Sequence, residues 1–298
     1  MAKKSKTEQT EMSFLGHLEE LRWHLIRSIL AIVVLGIVAF IFRGFIFDVV
    51  ILAPKNPDFL TNRLLCQFGT SVGISGLCIN NINLSIINIT MSGQFSTHIM
   101  VSLIAGFLVA FPYIFWEFWL FVRPALYDKE KRHSRGAVLV SSLLFITGVL
   151  FGYFLIVPLS VNFLGSYVVS SQVSNQINLG SYISTLTSVV LASGVVFELP
   201  IVIYFLSKVG LVTPKFLKQY RRHAIVIVFI VSAVITPPDV FSQILVAVPL
   251  ILLYEVSIFI SGRVVSAQER ELADGNALPV RPQSDVAAKQ TQSHEPAN

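Results

Sequence analysis

GVVFELPIVIYFLS, residues 194–207, decides the fold class: it is an apolar run interrupted by a single carboxylate, Glu198. Upstream, residues 136–197 form a stretch of 62 residues with no Asp, Glu, Lys or Arg. Soluble domains carry about 25% charged residues, whereas this 298-residue chain has 13% charged and 54% hydrophobic residues. Such a stretch reads as membrane-embedded. The first cation after Glu198 is Lys208, ten residues on, which is about 15 Å of helix rise and half of the ~30 Å hydrocarbon thickness. A carboxylate at that depth is expensive unless protonated or paired, so such groups face a partner helix or a wet cavity and carry a function. The competing reading is a carboxylate bonded to a Ser or Thr inside the bundle, serving packing alone.

Working outward, six apolar segments are legible: 25–43, 96–121, 136–158, 182–206, 223–235 and 240–260. The predicted fold is therefore all-α, a polytopic membrane protein with six transmembrane helices, the last two short. The fifth segment, HAIVIVFIVSAVI, has 13 residues and would rise only about 20 Å, so it must cross a thinned bilayer or enter a wet cavity. TPPD, 236–239, turns the chain straight back, because Pro237 and Pro238 cannot extend a helix. Residues 1–266 form one membrane domain. Residues 267–298, rich in Ala, Gln, Pro and charge, read as a disordered cytosolic tail. No internal repeat is visible, and no removable signal peptide is expected, because no small-residue cleavage site follows a short apolar core.

Of the 22 Lys and Arg residues, only Arg43, Lys55 and Arg63 fall on the side holding the first, third and fifth connections. The other 19 flank the opposite ends, which places both termini in the cytosol. The exported side then carries a long first connection, 44–95, and the polar loop SSQVSNQINLGS, 170–181. INLSIINIT, 82–90, alternates apolar and polar residues as a strand would, with short amphipathic helices the alternative. Cys66 and Cys78 lie in this loop, and their 12-residue separation permits a disulfide without establishing one.

Enzyme signatures are missing. The chain has no His-Glu-x-x-His helix, Walker loop, Gly-x-Ser-x-Gly elbow or clustered Cys/His ligands, so neither a cofactor nor a metal is expected. The net charge of +5 sits in short clusters between apolar segments, as topology demands, and offers no basic surface for nucleic acid. The six histidines fall mainly at helix ends or in the tail, and His98 is the one remote candidate for an intramembrane protease. What remains is a face with carboxylates among cations: Glu19 and Glu20 in HLEELRWHL, Asp128 and Glu130 in RPALYDKEKRHSR. A solvated ion-pair surface is the default reading of such runs. Their apolar companions Leu18, Leu21, Leu25, Phe121, Leu126 and Tyr127 instead suit a ligand with both cations and an apolar stretch.

Several separated motifs point the same way: SFLGHLEELRWHLIRS (13–28), LAP (52–54), FVRPALYDKEKR (121–132), FGYFLIVPL (151–159), SGVVFELP (193–200) and TPPDVFSQ (236–243). In their order and spacing, over residues 13–262, the chain resembles the TatC family, the receptor component of the twin-arginine protein translocase. Trp23 follows Arg22 where the family often has a second basic residue, and the first exported loop is longer than usual. The resemblance implies a non-enzymatic receptor that exports folded proteins with proton-motive force from the bacterial cytoplasmic (inner) membrane. Glu20 and Glu130 would bind the consecutive arginines of the signal peptide, with Arg22, Phe121 and Leu126 in the same site. Paired, charge-assisted guanidinium bonds suit carboxylates in a way that a compact ammonium cannot reproduce. Glu198 would contact single-span partners of the TatA/TatB type within a multi-copy complex in the lipid bilayer. Pro54, Asp239, Gln243 and Glu255 would hold structural or further functional positions. The rival is a secondary transporter with Glu198 as its intramembrane carboxylate site; it predicts internal repeats and broken helices meeting at the midplane, neither of which is evident from the sequence.

Overall fold

The computed structural model describes residues 14–56, 58–72, 85–122, 134–170, 172, 175–236 and 240–273. The architecture is all-α, and among the described residues five helices are long and apolar enough to cross a membrane: Leu18–Ile41, Gly93–Val122, Gly136–Ser166, Leu179–Lys208 and Gln243–Arg270. The fifth apolar segment of the sequence forms a helix too short to join that set.

α1 (Phe14–Ile41) runs 28 residues, about 42 Å, and exposes Val34 and Ile37 as a lipid-facing helix does. A π turn, Phe45–Ile51, and a 3-10 turn, Ala53–Lys55, lead into α2 (Leu60–Val72). Pro54 is buried in this bend. Having no N–H, it leaves the carbonyl of Val50, four residues back, without its helical donor. The Tyr153 hydroxyl supplies one at 2.7 Å, and the Tyr182 hydroxyl donates to the next carbonyl, Ile51, also at 2.7 Å. Cys66 on α2 is disulfide-bonded; Cys78, the other cysteine of the chain, lies outside the described residues.

α3 (Gly93–Val122) returns antiparallel to α1, with His24 meeting Glu117, Gly36 meeting Gly106 and Phe40 meeting His98. A Cβ on Gly106 would lie 2.6 Å from the Ile32 carbonyl oxygen and 2.8 Å from the Gly36 Cα. Two glycines therefore let the backbones touch, the packing on which helix association in lipid depends.

The third span is α4 (Ser134–Phe151), a π turn over Gly152–Ile156, and α5 (Val157–Ser166). The widening precedes Pro158, whose ring would clash with the Phe154 carbonyl in a regular helix. The Thr61 hydroxyl donates to that carbonyl, and Phe59 stacks on the Phe154 ring. α6 (Leu179–Val196) starts at an Asn178 cap, whose side chain accepts from the Gly180 N–H at 2.8 Å. It turns at Phe197 and Glu198 and resumes as α7 (Leu199–Lys208). Pro200 sits in the first turn of α7, where its missing N–H is tolerated. The fourth span is thus interrupted at Glu198, a break that its sequence did not make evident. α7 closes on Gly210, φ 80°, with the Leu211 N–H bonded to the Leu206 carbonyl at 2.9 Å. Only glycine adopts that left-handed cap readily.

The strand expected in INLSIINIT survives over two residues: β1 (Ile86–Ile87) pairs in parallel with β2 (Ile177–Asn178), tying the loops after the first and third spans together. α8 (Pro214–Gln219) links to α9 (Arg221–Ile235), whose 15 residues rise about 22 Å. α10 (Val240–Ala273) is far longer, 34 residues, because its short apolar segment continues into the polar sequence SAQERELA. Ala, Gln, Glu and Arg are strong helix formers, and Gln268 donates to the Lys208 carbonyl at 2.8 Å, pinning the extension to the end of α7. Residues 267–273, expected in a disordered tail, therefore belong to the helix, and 274–298 lie outside the described residues. The largest buried cluster is built from Ile156 and Val157, Tyr182, Ile183 and Leu186, and Val246 and Leu250, so α5, α6 and α10 share one core.

Candidate functional site

Among the described residues two carboxylates are buried within spans. Glu198 occupies the N-cap position of α7, at the break in the fourth span, without a side-chain capping bond, and is 8% exposed. The Ser141 hydroxyl of α4 donates to its Oε2 at 2.8 Å, while Oε1 is buried with no hydrogen-bond partner among the described residues. The α4 and α6 backbones come close enough for this because Gly148 faces the Ser193 carbonyl, 2.6 Å from where a Cβ would stand. A carboxylate bonded to a serine inside the bundle is the geometry of the packing reading. An apolar hollow of about 230 Å³ between α4 and α7 is lined by Val140, Leu144, Ile201 and Tyr204, and Glu198 does not line it. A transporter site asks for two broken helices meeting; among the described residues the other four candidate spans stay helical throughout.

Glu117, in WEFW of α3, is the carboxylate that sequence reasoning missed, and at 4% exposure it is the more buried of the two. The Tyr113 hydroxyl donates to Oε1 at 2.7 Å, His24 Nδ1 lies 2.5 Å from Oε2, and Arg27 Nη1 stands 3.9 Å from Oε2. His24 and Arg27 are three residues apart, on one face of α1, and Tyr113 is one turn before Glu117 on α3. A carboxylate four residues from the span end at Phe121, with His24 and Arg27 spaced to meet it from the first span, is the signal that was available. With four lone-pair sites and several donors, Glu117 is a fastening between α1 and α3. The same α1–α3 contact includes the His24 ring edge-on to Phe121, centroids 6.3 Å apart.

Glu20 is half-buried one turn before His24 on α1, and Phe121 is half-buried one turn after Glu117 on α3. The antiparallel register therefore carries Glu20 to the level of Phe121. Arg22 is exposed and, two residues from Glu20, points from a different face. Glu130, Leu126 and Asp239 lie outside the described residues. His98 is occupied structurally: its ring stacks on Phe40 at 3.9 Å and its Nε2 bonds the Phe40 carbonyl at 3.1 Å. Gln243 locks the last hairpin, its Nε2 donating to the Phe229 carbonyl at 3.1 Å while its backbone carbonyl accepts from the Ser232 hydroxyl at 2.7 Å. Glu255 of α10 pairs with Arg221 at the start of α9. Pro54 sets the bend that Tyr153 and Tyr182 satisfy.

The family model for the Sec-independent protein translocase protein (TatC) matches residues 16–249. The chain is 42% identical over 258 residues to the Sec-independent protein translocase protein TatC of Blattabacterium sp. subsp. Periplaneta americana (strain BPLAN), covering 86% of this chain and 97% of that one. To the protein of the same name from Aquifex aeolicus (strain VF5) it is 36% identical over 262 residues, 88% of this chain and 99% of that one. A crystal structure of the twin arginine translocase receptor TatC superposes with a TM-score of 0.62 at 36% identity, covering 82% of this chain and 97% of that one. A second, in DDM, gives 0.64 at 36% identity, with 82% and 99% covered. The chain therefore belongs to the TatC family, as a multi-pass membrane protein of Tat protein transport.

Proposed function

We propose that this chain is the receptor of a twin-arginine translocase, capturing twin-arginine signal peptides at the α1/α3 end and recruiting TatA/TatB-type single-span partners for export of folded proteins with proton-motive force. The observation that carries the reading is the α1–α3 register, which sets Glu20 level with Phe121, at the mouth of the connection bearing Leu126 and Glu130. Carboxylates there would take the two guanidinium groups, and the apolar part of the peptide would follow Phe121 and Leu126. Truncating one partner of such a pair weakens binding by about 2–5 kcal/mol. Glu20→Ala and Glu130→Ala should each weaken crosslinking to a twin-arginine peptide, and the double variant should nearly abolish it while inserting normally. Undiminished crosslinking by a well-folded double variant refutes the assignment.

In this reading the membrane is the bacterial inner membrane, both termini are cytosolic, and α9 makes a sixth crossing through a locally thinned bilayer. Partner helices would pack against the fourth span at its break, a polar side chain of theirs donating to Glu198 Oε1, which has no hydrogen-bond partner among the described residues. Intramembrane hydrogen bonds are worth about 1–2 kcal/mol at best, suited to partners that exchange. Glu198→Gln should then keep much partner crosslinking and Glu198→Ala lose it, with signal-peptide binding retained in both. Normal partner crosslinks with failed export in both variants point to a proton site instead.

A further inference from the structure

Along α10, Ile244, Val248, Leu252, Val256 and Phe259 recur every three or four residues, and all are exposed, between 49% and 60%. The same stripe continues as Arg263, Ser266 and Arg270, where the chemistry changes from apolar to cationic. These three residues and Phe259 line an open cavity of about 620 Å³ whose other wall is Pro214 and Lys218 of α8. Lys218, Arg263 and Arg270 thus converge on one space, and no ion pair engages any of them among the described residues. The one carboxylate in the lining, Glu255, is held by Arg221. Arg263 lies over the Phe259 ring, 4.4 Å from its centroid, so its guanidinium is held at the boundary between the two chemistries.

The depth fits a lipid. Arg263 follows Phe259, at the end of the apolar segment, by four residues or about 6 Å of rise, which is the depth of the headgroup layer beside the ~30 Å hydrocarbon core. We propose that this cavity binds an anionic phospholipid, its phosphodiester held by Lys218, Arg263 and Arg270 and its acyl chains lying along the exposed Leu252, Val256 and Phe259. Basic pockets at the ends of membrane helices select anionic headgroups by charge, and the apolar ridge below adds the chains that a soluble phosphate lacks. Ser266, between the two arginines on the stripe, supplies a hydroxyl to the same space.

The test uses the full chain in detergent, followed by native mass spectrometry with three probes: phosphatidylglycerol, phosphatidylcholine with the same acyl chains, and glycerol phosphate. The parent protein should retain phosphatidylglycerol in preference to both others. Lys218→Gln, Arg263→Gln and Arg270→Gln together should lower that retention by at least about tenfold, with phosphatidylcholine unaffected. Arg222→Gln, a cation of α9 outside the cavity, should leave it unchanged. If the triple variant fails to fold, Arg263→Gln alone must still show a partial loss at parental thermal stability. Equal retention by parent and variant overturns the proposal. So does equal binding of glycerol phosphate, which makes the cavity a phosphate site, or an equal loss with Arg222→Gln, which makes the effect one of overall charge.

Discussion

Replacing Glu117 by Ala removes the acceptor on which Tyr113, His24 and Arg27 converge, and the expected loss can be built contact by contact. The Arg27 side chain is 56% exposed and 3.9 Å away, so its share is small. The Tyr113 bond lies within α3 and the His24 bond crosses to α1; side-chain hydrogen bonds in membranes average about 0.6 kcal/mol and reach about 1.7. The larger part is what stays behind, because the His24 side chain is only 13% exposed and its ring nitrogen is left without the carboxylate, a penalty of about 1–3 kcal/mol. The total is about 2–4 kcal/mol, equivalent to about 3–6 °C in Tm for a chain of 298 residues. Glu117→Gln keeps one acceptor and the shape, so it should lose roughly half as much. Thermal unfolding in detergent measures both, and a double-mutant cycle with His24→Ala tests the coupling: the second substitution should add little once Glu117 is gone. Parent-like melting of Glu117→Ala, or additive effects of the two substitutions, refutes the fastening.

Gly106→Leu should be among the most damaging single changes, because even a methyl would sit 2.6 Å from the Ile32 carbonyl; overpacking of this kind costs about 1–3 kcal/mol or more, readable in Tm, while Gly16→Ala, with nothing within 4 Å, serves as the neutral control. For topology, a membrane-impermeant thiol reagent added to sealed cells should label Thr70→Cys and Asn175→Cys but not Lys215→Cys, and equal labelling of all three overturns the proposed orientation.

The spans were legible because burial in lipid is written into composition, and α9 at 221–235 nearly coincides with the apolar segment 223–235. What was not legible is what depends on meeting a residue far along the chain. Glu198 announced itself, but nothing local shows that Ser141, 57 residues earlier, would receive it inside the bundle. Glu117 stood close to the span end and to Arg123, where a carboxylate passes for an interfacial charge; the spacing of His24 and Arg27 was a signal, but the α1 register is what shows that His24, 93 residues earlier, meets it. The break at Glu198 needed the knowledge that the chain would turn before Pro200 and not bend smoothly through it, as α3 does at Pro112. The polar end of α10 was misassigned because composition alone separates apolar from polar and does not separate a tail from a helix pinned by Gln268 to Lys208.

The bend at Pro54 sets a schedule for making the protein. Its two carbonyls at Val50 and Ile51 find their donors 103 and 131 residues later in the chain, and the donor for Phe154 was synthesised 93 residues before it. At about 5–20 residues per second, a ribosome needs about 7–26 s to travel from Ile51 to Tyr182. Throughout that interval the Ile51 carbonyl lacks its tyrosine donor, and water or the insertion machinery must serve it. The loop closes only when the third and fourth spans arrive with their tyrosines, so one end of the bundle is assembled late and by long-range closure.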